Sequence, residues 1–313
     1  MKISVIVCTR NRAPLLTQCL ASIHASLKFA ALEEAEILVV NNASTDDTCL
    51  VLEEWKQKSD FTLTILTEER VGISYARNLA FREAKGELLI CTDDDCRLEE
   101  NHIKKSIELY SKDESPVLRF GAVHLGNQED WPMTINTYPY PRAWQKNDVD
   151  LEPIHMGNIS GGNMLLPRKI LESAGFYDEC FGNPLIPGGE DADFGFRVYL
   201  SGYRIEYVPE LIVQHYHGRQ NEKAVWNVIK NYSIAAGALY AKYALKHPHI
   251  CKKLCSRKSK TVKSNHQETT PDKRSIMIRK LHARAKIYYF VGIYRYLTLK
   301  VQQFFHIDRV QRN

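Results

Sequence analysis

Over the first hundred positions, short apolar runs rich in β-branched residues alternate with longer stretches of helical period. Residues 3–8 form the first run, and Pro14 then opens a pattern that places Leu15, Leu16, Cys19, Leu20 and Ile23 on one face. Proline suits a first helical turn, where its missing N–H has no partner to lose. Strand patterns recur at 36–40, 61–66 and 88–91, and helical patterns begin near Asp46 and span 74–84. Continuous apolar strands are buried on both faces, which predicts a mainly parallel sheet flanked by helices through right-handed crossovers. Gly86 is expected to cap the helix that ends at 84. From 116 to 157 the pattern loosens, and Trp131, Tyr138, Tyr140 and Trp144 stand among prolines and polar residues. These aromatics suit either a stacking surface for a ligand or a private core for the loop. Order returns with strand patterns at 163–166, 203–208 and 211–214, and helical ones at 169–174, 192–201, 225–245 and 276–305. Residues 256–275 are polar and charged with almost no apolar side chain, and read as a mobile linker.

Charge changes this picture at one end. Residues 246–313 carry 17 lysines and arginines against three acids, while the rest of the 313-residue chain is acidic on balance. The last helical stretch mixes those cations with Tyr288, Tyr289, Phe290, Tyr294 and Tyr296, a composition suited to the surface of an anionic membrane. Nucleic acid is the weaker partner, because the body is acidic and shows no nucleic-acid motif. No uncharged apolar run is long enough to span a bilayer. The N-terminus enters a strand pattern without a secretory leader, and Cys8 and Cys91 sit inside apolar runs as core filling. Cys251 and Cys255 lack a matching His/Cys pair for zinc. A reducing, cytoplasmic location, peripheral on the membrane face, is the expectation.

The most informative chemistry is Asp93-Asp94-Asp95 at the end of the run 88–92. Ligands of open α/β sheets bind at the carboxyl ends of strands. Adjacent carboxylates there offer hard oxygens to Mg²⁺ or Mn²⁺, and without a cation they repel one another.

Five motifs fall in order: Val5 to Arg12, Val39 to Asp46 with Asn41-Asn42, Gly72 to Asn78, Thr92 to Asp95, and Gly188-Gly189-Glu190-Asp191-Ala192-Asp193. With Val213 to Gly218, this order resembles the inverting glycosyltransferases of family 2, which have the GT-A fold. The resemblance covers residues 1 to about 220. It implies a catalytic domain over 1–222, with a nucleotide-binding half (1–97) and an acceptor half (98–222). A helical extension (223–255), the linker (256–275) and a basic amphipathic helix (276–313) follow.

The resemblance also implies roles. Cys8 and Arg10 line the base pocket, and Arg10 departs from an aromatic common in relatives, leaving the base open. Asn42 hydrogen-bonds a uracil, thymine or guanine edge. Asp93 and Asp94 contact the ribose or donor sugar, Arg77 offsets their charge, and Asp95 holds Mn²⁺ or Mg²⁺. His215 or its same-face neighbour His217 completes the metal shell, with His215 favoured. Gly161, Gly162, Asn163 and Glu190 border the acceptor, and Asp191 is the general base. The implied reaction moves a sugar from a nucleotide-diphosphate donor to a hydroxyl of a glycan or lipid-linked glycan. Competing readings are a sugar nucleotidyltransferase, which needs a glycine-rich loop absent from 8–11, a phosphohydrolase, whose aspartate would follow the first strand, and a non-catalytic glycan-binding protein.

Overall fold

A computed structural model describes residues 2–32, 34–145, 159–244, 247 and 273–310. The chain divides into two compact units: Met1–Asp130, Thr134–Glu179 and Glu190–Gly218 form the first, and Trp131–Met133, Cys180–Gly189 and Arg219–Asn313 the second.

The first unit holds a mixed sheet. Its strands are β1 (Ile3–Thr9), β2 (Ala35–Asn42), β3 (Thr62–Glu68), β4 (Leu88–Asp93), β5 (Cys96–Leu98), β6 (Val117–Leu125), β7 (Arg142–Trp144), β8 (Asn163–Pro167) and β9 (Arg204–His215). Their order is β3-β2-β1-β4-β8-β6-β9-β5, with β7 on β9. The first four are parallel, as their apolar runs dictate, but β8 runs antiparallel to β4 and β6. Strands β6 and β9 are parallel to each other and run with the first four, while β5 and β7 oppose β9, so the sheet is mixed but mainly parallel, as expected. The reversal has a use. Pairing Thr92 with Asn163 brings the start of β8 beside the carboxyl end of β4.

Helices α1 (Ala13–Phe29), α2 (Thr48–Lys58) and α4 (His102–Tyr110) contribute Leu16, Leu20, Ile23, Leu52 and Ile103 to a core built on Val5, Ile37, Ile90, Leu165 and Val213. Helix α3 (Ile73–Glu83) packs on β1, β2 and β3. The unit is completed by α5 (Arg168–Ala174) and α6 (Glu190–Leu200). Gly86 does not cap α3, whose last turn ends at Ala84 in extended backbone. A Cβ at Gly86 would lie 2.7 Å from the Ser4 hydroxyl, which Gly86 approaches through its N–H. Close packing, not capping, demands the glycine. The two strand patterns near 203–214 form the single strand β9, with a register shift around Pro209. Proline cannot donate to the ladder and is tolerated at such a bulge.

The second unit gathers α7 (Glu222–Tyr243), α8 (Lys273–Arg284) and α9 (Ile287–Val310). Asn221 caps α7, accepting from the Ala224 N–H at 3.0 Å. Helices α7 and α9 meet at Gly237 and Gly292, where a Cβ on either would strike the other helix's backbone. Val225, Ile229, Leu281 and Ala285 form a small core. The expected helix over 276–305 is two helices, because the chain turns at Ala285-Lys286 without a Gly or Pro to signal it. Of the expected linker, 273–275 already belong to α8 and 256–272 lie outside the described residues, as do Cys251 and Cys255.

Candidate active site

The site is built where β4 ends, β8 begins and α6 starts. Arg77, from α3, is buried to 3% exposure and binds carboxylates from two of these elements. Its guanidinium donates to Asp93 Oδ1 at 2.9 Å and to Asp191 Oδ1 at 2.5 Å. Burial disfavours its charge, but Asp191, Tyr177 and Asp93 outweigh this and hold its pKa above the usual arginine value. One guanidinium thus spaces an aspartate on the strand side from one on the helix side.

The surroundings enforce this geometry. A Cβ on Gly161 would collide with the Arg77 guanidinium, and one on Gly162 would lie 2.7 Å from Asp93 Oδ2. The Gly161 N–H donates to Asp191 Oδ2 at 2.9 Å, and Thr92 Oγ1 donates to the Gly162 carbonyl at 3.0 Å. Tyr177 donates its hydroxyl to Asp191 Oδ1 at 2.9 Å. Asn78, next to Arg77, accepts from the Tyr177 N–H and donates to the Tyr177 carbonyl. The tyrosine ring is stacked on Phe81 and tilted against Phe194.

Glu190 precedes Asp191 in the first turn of α6 and contrasts with it. Its Oε2 is buried without a hydrogen-bond partner. Desolvation first, and the Asp191 charge second, push its carboxyl up to about 7. The two adjacent carboxylates differ in their partners: Asp191 accepts from three donors, whereas Glu190 is buried without one on Oε2. A buried carboxyl with a raised value beside a second carboxylate is a mark of acid/base sites.

A second cluster lies on β5 and β9. Asp95, Cys96 and His215 offer ligand atoms within 4.8 Å of one another. His215 Nε2 is 3.3 Å from Asp95 Oδ1, and its Nδ1 is 3.2 Å from the Thr134 carbonyl. The Thr134 hydroxyl also lies 3.4 Å from Nδ1; in the tautomer whose Nδ1 carries hydrogen, the Nε2 lone pair and the Asp95 carboxylate face each other and suit a bound cation. Asp95 and His215 suit Mn²⁺ or Mg²⁺, whereas the Cys96 thiol is a soft ligand that these hard ions do not favour. Arg12 Nη2 stands 3.7 Å from Asp95 Oδ2. Asp94 is buried, and desolvation with Asp95 repulsion pushes it to about 7. His217 sits edge-on to His215, ring centroids 5.0 Å apart, with Nδ1 3.4 Å from Asp130.

Of the residues expected to line a base pocket, Cys8 is buried on β1 and Arg10 is exposed beyond it. Asn42 is committed to the backbone: its amide donates to the carbonyls of Glu68 (3.0 Å) and Arg70 (2.7 Å), and its Oδ1 accepts from the Gly72 N–H. Both amide hydrogens are spent, which removes the donor half of the expected base contact and leaves one carbonyl lone pair. The Asn163 side chain is 1% exposed and bound to His102, the Ala122 carbonyl and the Leu211 carbonyl, so its amide is committed to locking the sheet. Of the loop aromatics within the first unit, Trp144 is buried and Tyr140 is 64% exposed. Tyr177 and Thr134 stand in no motif, and Arg12, which closes the first motif, carries no role that the sequence signals.

A family model described as "Glycosyl transferase family 2" matches residues 4–175, more than half of the chain. Polypeptide N-acetylgalactosaminyltransferase 5 of Caenorhabditis elegans is 27% identical over 256 residues, which are 74% of this chain but 40% of that protein. The chain thus spans well under two thirds of that curated relative. Among solved structures, S. aureus TarS 1-349 in complex with UDP-GlcNAc is 18% identical with a TM-score of 0.56, covering 95% of this chain and 89% of that one. The mannosyltransferase PcManGT from Pyrobaculum calidifontis, in complex with GDP-Man and Mn²⁺, is 17% identical with a TM-score of 0.58, covering 95% and 87%. These likenesses show the GT-A fold expected from the motifs. With its motifs in order and the family model matched across more than half its length, the chain belongs to glycosyl transferase family 2.

Proposed function

We propose that the chain transfers a sugar, with inversion and dependence on a divalent metal, from a nucleotide-diphosphate sugar to a hydroxyl of a glycan or lipid-linked glycan. The observation that carries the reading is the Arg77 bridge, which fixes Asp93 and Asp191 on opposite sides of one buried guanidinium. Asp93 lies on the donor side. Asp191 keeps a lone pair on Oδ2 beyond the one used by Gly161, and there accepts the proton of the attacking hydroxyl. The new bond forms from that oxygen to the anomeric carbon as the bond to the diphosphate breaks, and the proton ends on Asp191. Glu190 and the Gly161-Gly162 turn border the acceptor, with the glycines letting it approach backbone.

Asp95 and His215 would hold Mn²⁺ or Mg²⁺, which when bound supplies positive charge to the departing diphosphate. Both structural neighbours carry nucleotide sugars, and one carries Mn²⁺. The remaining Asn42 lone pair favours a base edge that presents an N–H, as uracil, thymine and guanine do.

The test is nucleoside diphosphate release from UDP-, GDP- and dTDP-sugars, with Mn²⁺ or with EDTA. Release from one donor that stops in EDTA and in Asp191→Asn, with donor binding retained in the variant, supports the reading. Inversion is read by NMR of the product anomer. Silence across the panel together with absent donor binding refutes it in favour of a non-catalytic glycan-binding protein.

A further inference from the structure

Helix α9 buries one side within the second unit, through Gly292 and Tyr296, and leaves another bare. Ile287, Phe290, Tyr294, Leu297 and Val301 are 67%, 69%, 71%, 52% and 54% exposed. Their spacing of three and four residues puts all five on one stripe, about 21 Å long at 1.5 Å per residue. A stripe of large apolar side chains is costly in water and marks a surface that meets something.

Charge says what that is. Across residues 273–303 there are eight lysines and arginines and no aspartate or glutamate. On the helical wheel Lys300 and Arg295 fall on opposite flanks of the stripe, and Lys286 lies just before it. Arg295 is fixed at its flank by donating to the Leu185 carbonyl at 2.6 Å. Self-association along the stripe would set cations against cations with no acidic partner, which argues against a second copy. An anionic lipid surface satisfies both features, because apolar and aromatic groups enter the acyl boundary while the flanking cations meet headgroup phosphates.

We propose that the exposed face of α9 docks the protein on anionic membrane, with Phe290, Tyr294 and Leu297 inserted and Lys286, Arg295 and Lys300 at the headgroups. The proposal is independent of the sugar-transfer reading.

The experiment is co-sedimentation of the full chain with phosphatidylcholine vesicles, alone or with roughly a third phosphatidylglycerol, at low and at physiological salt. The double variant Phe290→Asp with Leu297→Asp and the charge variant Lys286→Glu with Lys300→Glu are compared with the parent. All substituted positions are exposed, and circular dichroism checks that each variant is folded. The parent is expected to bind only the anionic vesicles and to weaken with salt. The apolar variant should lose at least about tenfold in partition coefficient, and the charge variant should lose several-fold on anionic vesicles. Equal binding of parent and apolar variant overturns the proposal, as does binding indifferent to phosphatidylglycerol. So does a dimer, by light scattering, that the apolar variant converts to monomer while neither binds vesicles.

Discussion

Replacing Glu190 by glutamine is expected to stabilise the fold at alkaline pH and to change it little at pH 5. The carboxyl of Glu190 has an ordinary value of 4.5 and stands at about 7 in the folded protein, chiefly through desolvation and then through Asp191. The folded state therefore holds this proton more tightly than the unfolded chain. As pH rises from 4.5 towards 7, the unfolded chain releases its proton first, and stability drains away across that window. The full cost above the window is the shift times 1.36 kcal/mol, about 3 kcal/mol. Residual solvent access and sharing with Asp191 reduce the working figure to about 1–3 kcal/mol. Glutamine keeps the shape without the charge, so the gain from Glu190→Gln should stay under about 1 kcal/mol at pH 5 and reach that range by pH 8. For a unit of this size the melting temperature should rise by roughly 2–10 °C at pH 8. Urea unfolding of both proteins at pH 5, 6, 7 and 8 is the assay. A difference that does not vary with pH, or a variant less stable at pH 8 than its parent, refutes the reasoning. Donor turnover should fall in the same variant, a gain in stability taken at the expense of function.

Two further outcomes follow from the site. Arg77→Met leaves Asp93 and Asp191 without their shared cation and should cost about 3–5 kcal/mol by urea unfolding, while Asp191→Asn should cost far less in that background than alone; additive losses would mean that the bridge carries no coupling. Asp95→Asn should weaken Mn²⁺ binding, read by electron paramagnetic resonance, by roughly 10–100-fold, and unchanged affinity would remove Asp95 from the metal site.

The elements that sequence shows plainly are those whose burial is two-sided and local. Strands β1, β2 and β4 are unbroken apolar runs, and α1 carries its stripe on one face. Strands β5, β6 and β7 and helix α4 escaped notice, since their partners are distant in sequence and their reading depends on tertiary pairing. The motifs singled out Arg77, Asp93, Asp191 and Asp95 by their place at a strand end and at helix starts, and the structure brings the first three into one bridge. They did not disclose what each side chain touches. Asn163 follows two site glycines and was expected beside them, yet strand alternation turns it inwards to His102. Asn42 carries the donors and acceptor of a base reader but spends three of them on the loop before α3. Tyr177 donates to Asp191 in a contact that no spacing announces.

The glycine crossing of α7 and α9 sets a limit on how the second unit can change. At Gly237 and Gly292 peptide groups, not side chains, determine how closely the helices approach. A conventional interface absorbs an added methyl group by rotating a neighbour, but a backbone carbonyl has no rotamer to offer. Any side chain introduced at either glycine must move an entire helix, and with it the five apolar residues carried on the far side of α9. The crossing thus works as a fixed datum from which the exposed stripe is measured, and alteration there would be felt as displacement of a surface some distance away.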